Sequence, residues 1–148
     1  LQTLAIELGA SHAVTWLGHL PVAEMERQFA SAWVQVVPAQ WEEPFGNVST
    51  EAMMRGTAVI ACAVGGQPEI VSDRLTGFLV PPKDVAAIAA PLLQLLSDRK
   101  LAEKMGQAGR ERALTHFSEA KRTDRFIEIY EQMLVNYRHS AHSVEVLT

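Results

Sequence analysis

Glu43 and Glu51 stand on either side of a short turn, with seven residues between them. A carboxylate accepts hydrogen bonds from hydroxyls and, when ionised, donates none. The turn itself, Pro44-Phe45-Gly46-Asn47-Val48, offers different chemistry. Gly46 lets the backbone approach a ligand closely, and the residue pattern predicts a helix from about Asn47. The free amides of that first turn, with the positive end of the helix dipole, suit a diphosphate. Glu51, about one turn into the helix, can point to the same mouth, and Glu43 approaches it from the other side. Two carboxylates would repel a bare phosphate. They make sense around an anion that also carries sugar hydroxyls, so the residues point to a site for a phosphate joined to a polyol. Each feature also has an ordinary structural reading. A glycine before a helix is a common tight turn, and a glutamate in a first turn complements the dipole.

Other reactive side chains read as structural. Glu69 reads as a brace for the turn after Gly65-Gly66, and Cys62, closing an apolar run, as a small buried side chain. His12, His19, His116, His139 and His142 show no ligand spacing, which predicts neither a metal site nor a cofactor. Arg110, Arg112, Lys121, Arg122 and Arg125 read as solvated helix faces, with weak attraction to anionic lipid as the functional alternative.

The elements that must hold the turn follow from periodicity. Leu1, Leu4, Ala5 and Leu8 share one helical face before Gly9, and Val22, Met25 and Phe29 form a stripe behind Pro21. Apolar runs predict strands at Ala13–Leu17, Trp33–Val37, Ala58–Ala61 and Phe78–Val80. A helix at Asn47–Arg55 ends at Gly56, and Gly65-Gly66 and Pro68 mark a turn. Asp84 is placed to cap a helix carrying Val85, Ile88, Ala89, Leu92 and Leu96, which Pro91 should kink or restart. A further helix reaches His116, and Ser118 caps a last one through Phe126, Tyr130, Met133 and Tyr137. Strands that alternate with helices and are apolar on both faces indicate an α/β fold, a Rossmann-like parallel sheet ending in a helical segment. The predicted division is 1–98 for an incomplete sheet-bearing part, 99–138 for the C-terminal helices of the same domain and 139–148 for a frayed tail.

The chain has 148 residues, 13 basic against 17 acidic, and a net charge of −4. That balance argues against nucleic acid as a partner. A single cysteine fits a reducing compartment, and no apolar run is long enough to span a bilayer. The chain opens without methionine inside a helical pattern, which reads as a piece of a longer protein.

Four linked blocks carry a resemblance. Glu43-Pro44-Phe45-Gly46-Asn47-Val48-Ser49-Thr50-Glu51-Ala52-Met53 runs on to Gly56-Thr57-Ala58-Val59-Ile60-Ala61. Then come Gly65-Gly66-Gln67-Pro68-Glu69-Ile70-Val71 and Gly77-Phe78-Leu79-Val80-Pro81-Pro82-Lys83-Asp84. In this order they resemble the C-terminal, donor-binding domain of family 4, or group 1, retaining glycosyltransferases with the B-type fold. The family pattern has two glutamates separated by seven residues, followed by Gly-Gly-x-Pro-Glu. Two departures are modest: Ala39 replaces the usual serine after the strand proline, and Thr57-Ala58 replaces x-Pro.

The resemblance implies a hexosyltransferase acting on a nucleoside-diphosphate sugar with retention, this chain being the donor-binding part and inactive alone. It implies that Glu51 accepts hydrogen bonds from the ribose, that Glu43 contacts the donor sugar as the catalytic residue, and that Phe45, Gly46, Asn47 and Val48 offer backbone amides. It also implies a missing N-terminal acceptor domain and a cytoplasmic site, with peripheral contact at the inner membrane face as an option. A non-catalytic nucleotide-sugar-binding module, or an epimerase or phosphorylase on the same architecture, are the alternatives. In the family's strand order the strands between Ala13–Leu17 and Trp33–Val37 are absent here. Either those two runs pair directly, or a second chain covers the exposed edge, so the fragment is expected to self-associate. The base, the sugar and the acceptor are not encoded legibly.

Overall fold

The computed structural model describes residues 1–145. It divides into two compact units, Leu1–Ala32 and the remainder from Trp33. The first unit holds α1 (Gln2–Glu7), a 3-10 turn at Ser11–Ala13 and α2 (Val22–Phe29). Ala5 is buried, while Leu4, Ile6, Leu8, Trp16 and Leu17 are exposed. The expected strand at Ala13–Leu17 does not form. The Ala13 amide closes the 3-10 turn on Ala10 at 3.0 Å, and the residues after it are extended but join no sheet among the described residues. A parallel strand is defined by its neighbour's hydrogen bonds, and this run has none.

The second unit is built on a three-stranded parallel sheet, β1 (Val34–Val37), β2 (Ala58–Cys62) and β3 (Gly77–Val80), in that spatial order. Val34 stands opposite Ala58, and Ile60 opposite Phe78. Every residue of the central strand β2 is buried, as expected of a parallel strand covered on both faces. Its side chains alternate between two cores. Val59 and Ala61 meet Ala52 and Met53 of α3 (Asn47–Arg55), Ile70 of α4 (Gln67–Ile70) and Ala113 of α6 (Arg99–His116). Ala58, Ile60 and Cys62 meet Leu95 of α5 (Val85–Ser97) and Ala102 and Met105 of α6. Fully buried side chains such as Met53, Ile60, Ile70 and Leu95 each contribute about 1.5–3 kcal/mol of burial.

Asp84 caps α5 by accepting from the Ala87 amide at 2.9 Å, and Asp98 caps α6 from Leu101 at 3.0 Å. α5 runs unbroken through Pro91, neither stopping nor restarting. The expected turn at Gly65–Pro68 leads into the four-residue helix α4, with Pro68 in its first turn, where a missing amide costs nothing. α6 packs closely on α3: a methyl group added at Gly106 would lie 2.0 Å from the carbonyl oxygen of Gly56. Arg110 donates from α6 to the Met54 carbonyl. α7 spans Glu119–Glu145, past Tyr137 where the sequence pattern fades, so residues 139–145 of the expected tail are helical and 146–148 lie outside the described residues.

Candidate functional site

Parallel neighbours deliver their following loops to one edge of the sheet. The loop after β1 (residues 38–46) and the loop after β2 (63–66) therefore meet beyond the strands' C-terminal ends, where open α/β sheets place ligands. Gly46 is the N-cap of α3 and holds φ at 112°, a value that side-chain-bearing residues rarely adopt. No side chain caps this helix. The Ser49 and Thr50 amides already return to the Gly46 carbonyl, at 3.1 and 3.3 Å. The amides of Phe45, Gly46, Asn47 and Val48 find no acceptor among the described residues. Consecutive open donors at a helix start make a basin of positive potential.

Glu43 sits half-buried in the loop. Its Oε1 accepts from Nε2 of Gln67 at 2.8 Å, and its backbone carbonyl accepts from the Gly66 amide at 3.0 Å. Gln67, fully buried, also accepts from the Ser49 hydroxyl at 2.7 Å through Oε1. The loops touch so closely that a methyl group on Gly66 would lie 2.4 Å from the Phe45 carbonyl oxygen. Glu51 is exposed on α3, and its carboxylate has no partner among the described residues. Phe45 meets Phe117 edge-to-face at 5.7 Å. Arg112 lies over the Phe117 ring, also at 5.7 Å, while donating to the carbonyls of Ile70 and Glu69 that end α4. A groove of about 500 Å³ runs beside Phe45 and Asn47 along the start of α7, lined also by His116, Lys121, Arg122 and Arg125.

The sequence-predicted residues Glu43, Phe45, Gly46, Asn47, Val48 and Glu51 thus occupy one loop and the helix it starts. Glu69 braces through its carbonyl, not its carboxylate. Burial pushes the Cys62 thiol up, which suits a packing role. Among the described residues no group of three His, Cys, Asp or Glu is placed to hold a metal ion. Sequence reasoning missed Gln67, Ser49 and Arg112, whose partners lie 24, 18 and 42 residues away.

The profile of the family described as "Glycosyl transferases group 1" matches residues 1–112. The chain belongs to the group 1 glycosyltransferases. It is 38% identical over 131 residues to alpha-maltose-1-phosphate synthase of Mycolicibacterium smegmatis, covering 84% of this chain and 34% of that protein. Sucrose-phosphate synthase from Thermosynechococcus elongatus superposes with a TM-score of 0.81 at 36% identity, over 91% of this chain and 34% of that one. The C-terminal domain of a group 1 family protein from Francisella tularensis superposes with a TM-score of 0.73 at 30% identity, over 80% and 60%. The fold is accordingly that of the C-terminal half of B-type glycosyltransferases. The chain spans about a third of the length of the curated relatives it matches.

Proposed function

We propose that this chain is the donor-binding part of a hexosyltransferase that moves a sugar from a nucleoside diphosphate to an acceptor with retention at the anomeric carbon. The observation that carries the reading is the row of open amides from Phe45 to Val48 at an uncapped helix start. A departing diphosphate gains negative charge as the glycosidic bond breaks. Donors already fixed around it stabilise that charge without reorganising at the moment of reaction. Glu51, unpartnered one turn further on, accepts hydrogen bonds from the ribose hydroxyls. Glu43 lies on the other flank of the amides and is the residue that meets the donor sugar.

On this reading the acceptor site belongs to an N-terminal domain and the remaining diphosphate contacts to an upstream strand and helix, so this chain alone turns nothing over. Two relatives, an alpha-maltose-1-phosphate synthase and a sucrose-phosphate synthase, differ in the product their names give, so the acceptor is left open. Contact with an anionic membrane surface along Lys121, Arg122 and Arg125 is compatible with this reading, since Lys121 and Arg122 make no ion pair among the described residues.

Titration of UDP, ADP and GDP into the complete two-domain enzyme tests the proposal. One of them should bind, and Glu51→Ala should weaken it by roughly 1.5–3 kcal/mol, the range for a hydrogen bond to a charged group left unmade. Glu43→Ala should lower kcat more than nucleotide affinity. Equal affinities in wild type and Glu51→Ala would remove Glu51 from the site.

A further inference from the structure

We infer that Gln67 is a positioning residue of the donor site, whose buried amide fixes the Glu43 carboxylate in the orientation presented to the donor sugar. The inference rests on the donor reading and assigns a role to a residue that the family pattern leaves open, the x of Gly-Gly-x-Pro-Glu.

The hydrogen bonds define the amide's direction. An ionised carboxylate only accepts, so the NH2 of Gln67 must face Glu43. Its oxygen then faces Ser49, whose hydroxyl donates at 2.7 Å while Nε2 donates to Glu43 Oε1 at 2.8 Å. α4, through Gln67, is thereby locked to the loop through Glu43 and to the first turn of α3 through Ser49, 24 and 18 residues earlier. A fully buried amide is costly unless bonded, and an apolar side chain would fill the same space beside Ile70 without that cost. The polar choice gives direction instead. One oxygen of Glu43 is anchored on Gln67, and Oε2 takes no hydrogen bond among the described residues, which leaves it for a ligand. Gly46 belongs to the same arrangement, because a methyl group there would lie 2.7 Å from Nε2 of Gln67. The amide therefore fixes the carboxylate from a space that only a glycine at position 46 leaves open.

Gln67→Met keeps the length of the side chain and removes both hydrogen bonds. In the complete enzyme it should lower kcat about 10- to 100-fold, as expected when a reacting group is misplaced by about an ångström. The affinity for the free nucleoside diphosphate should stay within about threefold, because the open amides and Glu51 are untouched. Affinity for the intact nucleotide sugar, relative to the nucleoside diphosphate, should fall, a readout that needs no turnover. A simple packing defect would instead lower the melting temperature and move every ligand together. If Gln67→Met does not fold, Ser49→Ala replaces it: freeing one end of the amide should lower kcat about 3- to 10-fold at unchanged nucleotide affinity. If wild type turns over and the variant that folds matches its kcat, the positioning role falls and the donor reading stands. If wild type binds no nucleoside diphosphate at all, both fall.

Discussion

Glu43 and Glu51 differ in what surrounds them, in keeping with the separate tasks proposed for them. Glu43 is held by a buried amide and half-covered, whereas Glu51 is exposed and has no partner among the described residues. Cys62 is the opposite case, a reactive atom without access. Buried on β2 with its thiol pushed up, it should resist a disulfide reagent at pH 8 in the folded protein and react only on unfolding, read by absorbance. Rapid labelling of the native chain would contradict the packing role. The residues proposed to contact the donor were legible as a candidate site because they are contiguous: one turn of sequence carries the two carboxylates and the amides between them. Gln67 was not, since its meaning lies entirely in partners 18 and 24 residues away. A lone glutamine between glycine and proline gives no local signal of that.

The alternation of strand and helix was readable for β1 to β3 because each strand's apolar run is bounded by glycine or proline. At Ala13–Leu17 the same pattern misled, since an apolar run becomes a strand only when a neighbour accepts its hydrogen bonds. Pro91 was expected to kink or restart its helix; α5 does not restart there, since Asp84 at its start and packing of Leu95 in the core hold the helix through it. Close helix approach is invisible in periodicity altogether. Gly106 shows it, because a side chain there would meet backbone on α3's end and not a yielding side chain. Gly106→Ala should cost about 1–3 kcal/mol of unfolding free energy, despite alanine's better helix propensity, as urea denaturation would measure. An unchanged or raised midpoint would mean that α6 sits further from Gly56 than described.

For the molecule as a whole, what the chain leaves uncovered matters as much as its core. β1 pairs only with β2 among the described residues, so its other edge offers open backbone groups. α7 exposes Phe126, Ile127, Tyr130, Met133, Leu134 and Tyr137. An unpaired strand edge and an apolar helix face favour association between copies of the isolated fragment. Light scattering on the purified chain should show species larger than the monomer, and a stable monomer at high concentration would count against it. Among the described residues no helix is long and apolar enough to cross a membrane.

The hydrogen bond from the Gly66 amide to the Glu43 carbonyl gives the site a clock. That proton can exchange with deuterium only when the two loops part, so its rate reports how often the carboxylate is out of place. α4 has only four residues, and short elements open at free energies well below that of global unfolding. Exchange at Gly66 should therefore be faster than at Ile60 in the sheet centre, and Gln67→Met should quicken the first and spare the second. A bound nucleotide sugar, by spanning the parted loops, should slow Gly66 towards the rate of the core.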